Sequence, residues 1–318
     1  MAKKKLTPLE QIDLRNDFLL KREELLRSKV NAMQVKLFDK IFDSYLLGLQ
    51  DKDGKLLNSI ENRNLVAGLD KIYKEFNKDF NIPIVKIFIG DMNEVHDLNK
   101  SYFNTIDKKE TQAKSPEVKK IMDAQLGIKS DGSIKKGGFT DKFVRDETAL
   151  KKIKKITNQA ISKGQDFKSF KKDLQETIKG NPKLKESGVL QANYRTYAYD
   201  TIQKVDALNQ TQYAKRLNLK YFIYKGGLIR DSRNFCIHRN GKILESTEFA
   251  KLTYNTLPPN QRGGIPKSGW KPMLDRGGYN CRHTISFVST AFAEQNKAPF
   301  NKQATARNLK VEKSFKKK

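Results

Sequence analysis

The chain holds two cysteines, three histidines and one tryptophan in 318 residues. So few cysteines exclude a disulfide-dense secreted scaffold, and synthesis and folding in a reducing cytoplasm is the expectation. No stretch approaches 18 consecutive apolar residues, so neither a transmembrane helix nor a membrane partner is expected. Met1-Ala2-Lys3-Lys4-Lys5-Leu6 has a charged start with no apolar core behind it and does not read as a secretory signal. There is no internal repeat, zinc-finger series, basic zipper or helix-turn-helix, which argues against base-specific reading of nucleic acid. Acidic residues are outnumbered: 36 Asp and Glu face 63 Lys and Arg, a formal charge of +27. That balance attracts polyanions such as nucleic acid. It is equally what a lysine-rich solvated surface without a ligand produces.

Enough apolar residues remain for a sizeable core, in two or three domains. The first part reads as helical. Thr7-Pro8-Leu9-Glu10 is a helix start with a capping box. Apolar residues then recur at helical spacing through Leu14, Phe18, Leu25, Val30, Met33, Leu37, Ile41 and Tyr45. Asp51-Lys52-Asp53-Gly54 marks a turn, and a second helix runs to about Asn81-Ile82-Pro83. Ile84 to Ile89 fits a strand or a helix start, and His96 reads as a surface or boundary histidine. Ser115-Pro116-Glu117 opens a short helix, and the glycines of 130–138 bracket a turn or hairpin. Helices are expected over about 141–163, 166–179 (with Asp166 as cap) and 189–217.

After Asn218 the texture changes. Tyr221 to Tyr224 favours a strand. Asn240-Gly241 reads as the turn of a hairpin joining a Cys236-Ile237-His238 strand to a Lys242-Ile243-Leu244 strand. Residues 255–278 form a loop rich in Pro, Gly and Arg, and Thr284 to Val288 reads as a closing strand. The tail carries eight Lys or Arg against two Glu and reads as an extended or disordered basic arm. The expected class is α+β: a helical body over 1–140 and 141–220, a small loop-rich β-containing domain over 221–290, and a basic tail over 291–318.

Both cysteines and two of the histidines fall in two copies of Cys-x-His: Cys236 with His238, and Cys281 with His283. On a strand, residues i and i+2 share a side, so each pair can face one point. Two thiolates and two imidazoles suit a closed tetrahedral zinc site, structural in role, that pins a segment with few core candidates. Other readings of the same residues stay open. Cys236 and Cys281 can form a disulfide contributing roughly 4 kcal/mol, or pack as inert thiols, or only three of the four groups can meet a metal. Catalysis is a further reading, through a Cys–His pair or a metal flanked by Arg230, Arg233, Arg239, Arg262, Arg276 and Arg282, but with no convincing acid or base beyond Asp231 and Asp275 and no oxyanion motif the expectation is a protein that is not an enzyme.

Tyr224 to Cys236, with Asn240-Gly241-Lys242 and then Gly277-Gly278-Tyr279-Asn280-Cys281-Arg282-His283, resembles the phage head morphogenesis family, the Mu F-like minor capsid proteins. That pattern is an aspartate-arginine-serine strand ending in cysteine, a glycine hairpin, a variable loop and an asparagine-cysteine-arginine close. Ala192-Asn193-Tyr194-Arg195-Thr196-Tyr197 falls where the family has an arginine-threonine helix. The likeness covers about 190–290. It supports Cys236, Cys281 and His283; His238 lies outside it, and Gly278-Tyr279 stands where His-Pro is usual. The resemblance implies a virion component made in the host cytoplasm, contacting the portal or the major capsid protein and lying near packaged DNA. Phosphate contact without sequence reading would fall to Arg230, Arg233, Arg239, Arg276 and Arg282 and to the terminal Lys316, Lys317 and Lys318. Some relatives carry an added toxin or enzyme module, and none is expected after His283. The competing expectation is a metal-dependent nuclease or toxin-like effector delivered with phage DNA.

Overall fold

The computed structural model describes residues 6–184, 186–194, 200–278 and 281–316. In chain order it holds α1 (Pro8–Phe38), β1 (Asp51–Lys52), β2 (Lys55–Leu56), α2 (Ile60–Phe76), α3 (Ile82–Asn104), α4 (Lys108–Leu126), α5 (Phe139–Val144), α6 (Thr148–Lys163) and α7 (Phe167–Lys179). There follow β3 (Gly180–Asn181), β4 (Glu186–Ser187), α8 (Val189–Tyr194), α9 (Asp200–Arg216), β5 (Tyr221–Lys225), α10 (Asn234–Arg239), β6 (Lys242–Glu245), α11 (Ser246–Ala250), α12 (Pro272–Asp275), β7 (Thr284–Val288) and α13 (Thr290–Lys316). The class is α+β, as the composition and patterning indicate.

The helix starts follow from their caps. Thr7 and Glu10 exchange the two bonds of a capping box, Glu10 N donating to Thr7 Oγ1 at 3.3 Å and Thr7 N to Glu10 Oε2 at 2.8 Å. Asp166 caps α7 by accepting from Ser169 N at 2.8 Å. The turn at Asp53-Gly54 has both residues at positive φ and joins β1 to β2. Ile84 to Ile89 is helical: Pro83 suits the first turn of α3, and Val85, Phe88 and Met92 fall on its buried side. Ser115-Pro116 opens no new helix, because it lies inside α4. Over residues 8–26 of α1 the buried stripe is Ile12, Arg15, Leu19 and Leu26, while Leu14 and Leu25 are exposed. A charged residue holds a core position there, which an apolar count passes over.

Two compact units divide the chain out of sequence order. One comprises Met1–Lys21, Asp91–Gln125 and Asp200–Lys318, the other Arg22–Gly90 and Leu126–Tyr199. The expected helical body of 1–140 is thus shared between them. In the second unit the Phe42 ring packs against Phe38, Phe167 and Phe170, and Tyr73 against Phe76. In the first unit the core gathers Phe222, Tyr224, Phe235, Phe249, Ile243, Ile285 and Phe287 around a three-stranded antiparallel sheet of order β6-β5-β7. Phe222 lies opposite Leu244 on one side and Phe287 on the other.

Three local expectations for this unit are corrected. Residues 236–238 are helical, in α10, and β6 pairs with β5 rather than with them. Asn240-Gly241 is a turn, but it passes from helix to strand: Gly241, at φ 78°, donates its N–H to Tyr224 O at 2.6 Å. Asn-Gly supplies the same left-handed step to a hairpin and to a helix exit, so the dipeptide cannot choose between them. The tail is no disordered arm, since α13 spans 27 residues. Its Ala293, Ala304 and Asn308 are buried, and Asn301 joins the edge of β6 through Ile243 N at 2.7 Å and Ile243 O at 3.1 Å.

The opposite edge, β7, is closed in the same way. Gln210 accepts from Phe287 N at 2.9 Å, Tyr102 donates to Phe287 O, and Arg15 donates to Ile285 O at 2.8 Å. Side chains of α9, α3 and α1 thus take positions that a fourth strand would fill along this edge. Arg15 and Asp206, 1% and 0% exposed, form an ion pair at 3.3 Å, bridged by Asn99.

Candidate metal centre

β5 delivers Tyr224 to the sheet face that carries Phe222, two residues earlier. α10 begins after Arg233 and presents Cys236 on its buried side, with Phe235 and Ile237 also buried. After the long excursion of 246–280 the chain returns to β7, and Cys281 and His283 sit just before it. The loop is better anchored than its composition suggests, because Phe249, Leu257 and Ile265 all enter the core.

These elements bring Cys236, Cys281 and His283 together, all buried, with their ligand atoms within 4.8 Å of one another. The two Sγ atoms are 3.7 Å apart, and Cys281 Sγ is 3.9 Å from His283 Nδ1. With Zn–S bonds of about 2.3 Å and Zn–N of about 2.0 Å, the edges of a tetrahedral site are about 3.5–3.8 Å long. The sulfur–sulfur edge has that length, the Cys281–His283 edge is slightly longer, and all three ligand atoms stay within 4.8 Å of one another. A disulfide needs about 2.05 Å between sulfurs, and both cysteines are free. Tyr224 Oη is the fourth polar atom, 3.4 Å from Cys236 Sγ and 3.6 Å from Cys281 Sγ, and its ring stacks on His283 at 5.1 Å. His283 Nε2 is buried without a hydrogen-bond partner among the described residues. Two sulfurs and an imidazole at these separations fit a metal ion, and the group can hold one.

The electrostatics favour one thiolate. Cys281 is held well below the usual thiol range, first by the hydrogen bond from Cys236 and then by His283 and the Arg276 charge. Cys236 is pushed up, first by that same hydrogen bond and then by burial. The thiolate is the ligating form. Gly277 closes over the pair: a Cβ there would lie 2.4 Å from Cys236 Sγ and 3.1 Å from Cys281 Sγ. On the other side Cys281 borders a cavity of about 190 Å³ lined also by Lys204, Asp275 and Arg276.

His238 stands outside the group. Two residues along a helix turn the side chain about 200°, so it leaves Cys236 behind. It lies 40% exposed, 3.8 Å from Glu312 of α13. His96 is no surface histidine: it is 4% exposed, with Nδ1 at 2.8 Å from Asn209 Oδ1 and Nε2 at 3.2 Å from Ser115 Oγ.

Most of the arginines expected to meet phosphate face inward instead. Arg233 donates to Gly277 O at 3.0 Å, Arg239 to Phe235 O at 3.0 Å and Arg276 to Gln203 O at 2.7 Å, and Arg262 holds Leu257 O at 2.9 Å. Two of these acceptors lie in the irregular loop and two on α10 and α9, and a guanidinium with five N–H groups can tie such carbonyls together. Arg230 is exposed and Arg282 half-buried. Arg195, Thr196, Tyr197, Tyr279, Asn280, Lys317 and Lys318 lie outside the described residues; Lys316 ends α13.

Tyr224 could not be singled out from sequence, since an aromatic in a strand reads as core. No family model, curated protein or solved structure matches the chain.

Proposed function

We propose that this protein is a structural component of a bacteriophage head, a minor capsid protein of the Mu F-like kind, whose C-terminal region is stapled by a structural zinc ion. The observation that carries this reading is the meeting of the two ends of the family-like signature, Cys236 and Cys281, with His283 in one buried cluster. A buried Cys₂His group holding an irregular loop against a sheet suits a structural ion, with Tyr224 Oη beside the sulfurs as the fourth group. When bound, such an ion supplies folding free energy. Cys236, Cys281 and His283 would hold it, while Tyr224 and Gly277 shape the space around it. The nearby carboxylates are placed for other work: Asp275 accepts from Lys271 N at 2.8 Å and pairs with Lys204 at 3.4 Å, and Asp231 is exposed. In this reading the partners are the portal or the major capsid protein, with packaged DNA nearby.

The zinc reading is tested by elemental analysis of the purified full chain. One zinc per chain is expected, lost in Cys281→Ser and in Cys236→Ser and kept in His238→Ala. Metal-free wild type, or metal lost with His238, would overturn it. The virion reading is tested by quantitative mass spectrometry of purified particles. A few copies per particle are expected for the wild type and a strong reduction for Cys281→Ser; particles lacking the wild-type chain would sink it.

A further inference from the structure

The positive charge is not spread evenly over the helices. α6 carries five lysines and no acidic residue in its 16 positions. Its apolar side, with Ala149, Leu150, Ile153 and Ile161, is buried in the second unit. Lys151, Lys152, Lys155 and Lys163 are exposed. None of these four has an ion pair among the described residues. Four nearby acids have partners other than these lysines. Asp70 of α2 takes Lys154 at 2.7 Å, and Asp173 of α7 takes the Gln165 amide at 2.7 Å. Asp43 lies 3.9 Å from Lys171, and Asp39 4.0 Å from Lys179. α7, packed against α6, adds exposed Lys168 and Lys172.

We infer that the exposed face of α6 is a binding surface for the phosphate backbone of duplex DNA, read without regard to sequence. At 1.5 Å per residue the lysines span about 18 Å of helix, with Lys152 and Lys163 on one line and Lys151 and Lys155 about 40° apart. A duplex carries one phosphate per roughly 1.7 Å of its axis, so a rigid row of ammonium groups meets several at once. The rest of the face is Thr148, Asn158, Gln159 and Ser162. It has no aromatic side chain to stack on an unpaired base. Nor does it present large apolar residues to sink into a lipid surface. A lysine is a point charge that suits phosphate and confers no base preference. This surface is distinct from Arg233, Arg239, Arg262 and Arg276 near the metal centre, which donate to backbone carbonyls of the same unit. The inference does not rest on the virion reading, because particle incorporation can fail while DNA binding holds, and the reverse.

The test uses the full chain and a fluorescein-labelled duplex of arbitrary sequence, titrated by anisotropy over a range of KCl concentrations. Lys151→Ala/Lys152→Ala/Lys155→Ala is expected to weaken binding on the order of tenfold or more. It should also reduce the slope of log K against log[KCl] by about 3, at close to 0.9 per lost phosphate contact. Alanine favours the helix, so circular dichroism should show an unchanged fold. Lys302→Ala/Lys310→Ala/Lys313→Ala on α13 should keep the wild-type slope. The inference is overturned if the α6 variant retains that slope, or if the α13 variant loses as much. Phosphatidylglycerol vesicles as competitor decide against lipid: DNA staying bound at equal phosphate supports the inference, and its displacement overturns it.

Discussion

Gly277 shows how little room the cluster of Cys236, Cys281 and His283 has. It has no side chain in a place where the first carbon of one would meet a sulfur at 2.4 Å. The atoms in the way are the buried sulfurs themselves, short side chains packed in the core, so relief would have to displace a ligand. Gly277→Ala is therefore expected to lower zinc per chain and thermal stability together. Gly263→Ala, where nothing lies within 4 Å of the added carbon, should do neither. A Gly277→Ala protein with full zinc and unchanged melting would refute this account of the site. At this scale three of the four candidate ligands were legible, because cysteine and histidine are rare in the chain and carry their chemistry in any fold. His238 was misplaced because i and i+2 share a side on a strand and oppose each other on a helix.

Among the elements, the sheet is short and would be exposed at both edges without its helices. Asn301 covers β6, and Arg15, Tyr102 and Gln210 cover β7. Arg15 reaches that position by holding a core site on α1 and pairing with Asp206. Arg15→Met should cost about 3–5 kcal/mol, because it leaves a buried carboxylate without its partner. Arg15→Met/Asp206→Leu should recover most of that loss, since replacing both charges with apolar groups removes the desolvation cost. Urea midpoints of the two variants check this. A double variant no more stable than the single would mean that the hydrogen bonds to β7, rather than charge burial, dominate. The caps at Thr7 and Asp166 were readable because a cap is a local exchange of hydrogen bonds. Helix α13 was not, because what holds it is Ala293, Ala304, Asn301 and Asn308 meeting distant parts of the first unit.

In the whole molecule, stability should depend on pH through His96. Burial lowers its pKa, opposed by the Asn209 hydrogen bond and Asp97 and aided by Lys119 and Lys100. The folded state thus binds its proton less readily than the unfolded chain, whose histidine titrates near about 6.5. The contribution is fully present above that pH and is lost as pH falls toward the lowered folded value. His96→Gln should flatten the difference between pH 7.5 and 5.5 in denaturant midpoints. An unchanged slope would show that His96 is not the group responsible.

Composition determined the net charge and the short supply of cysteine and histidine, and residue order the want of an apolar run long enough to span a membrane. Local pattern determined the helix starts at Thr7 and Asp166 and the strands at Tyr221–Lys225 and Thr284–Val288, because caps and β-branched runs act within a few residues. Only the tertiary structure decided that Cys236 and Cys281 lie 3.7 Å apart without His238. It alone also decided that Arg15 and His96 are buried, and that the arginines brace a loop while the lysines of α6 face solvent. Each of these depends on which distant group satisfies a charge or a hydrogen bond, and that partner is set by packing rather than by neighbours in the chain.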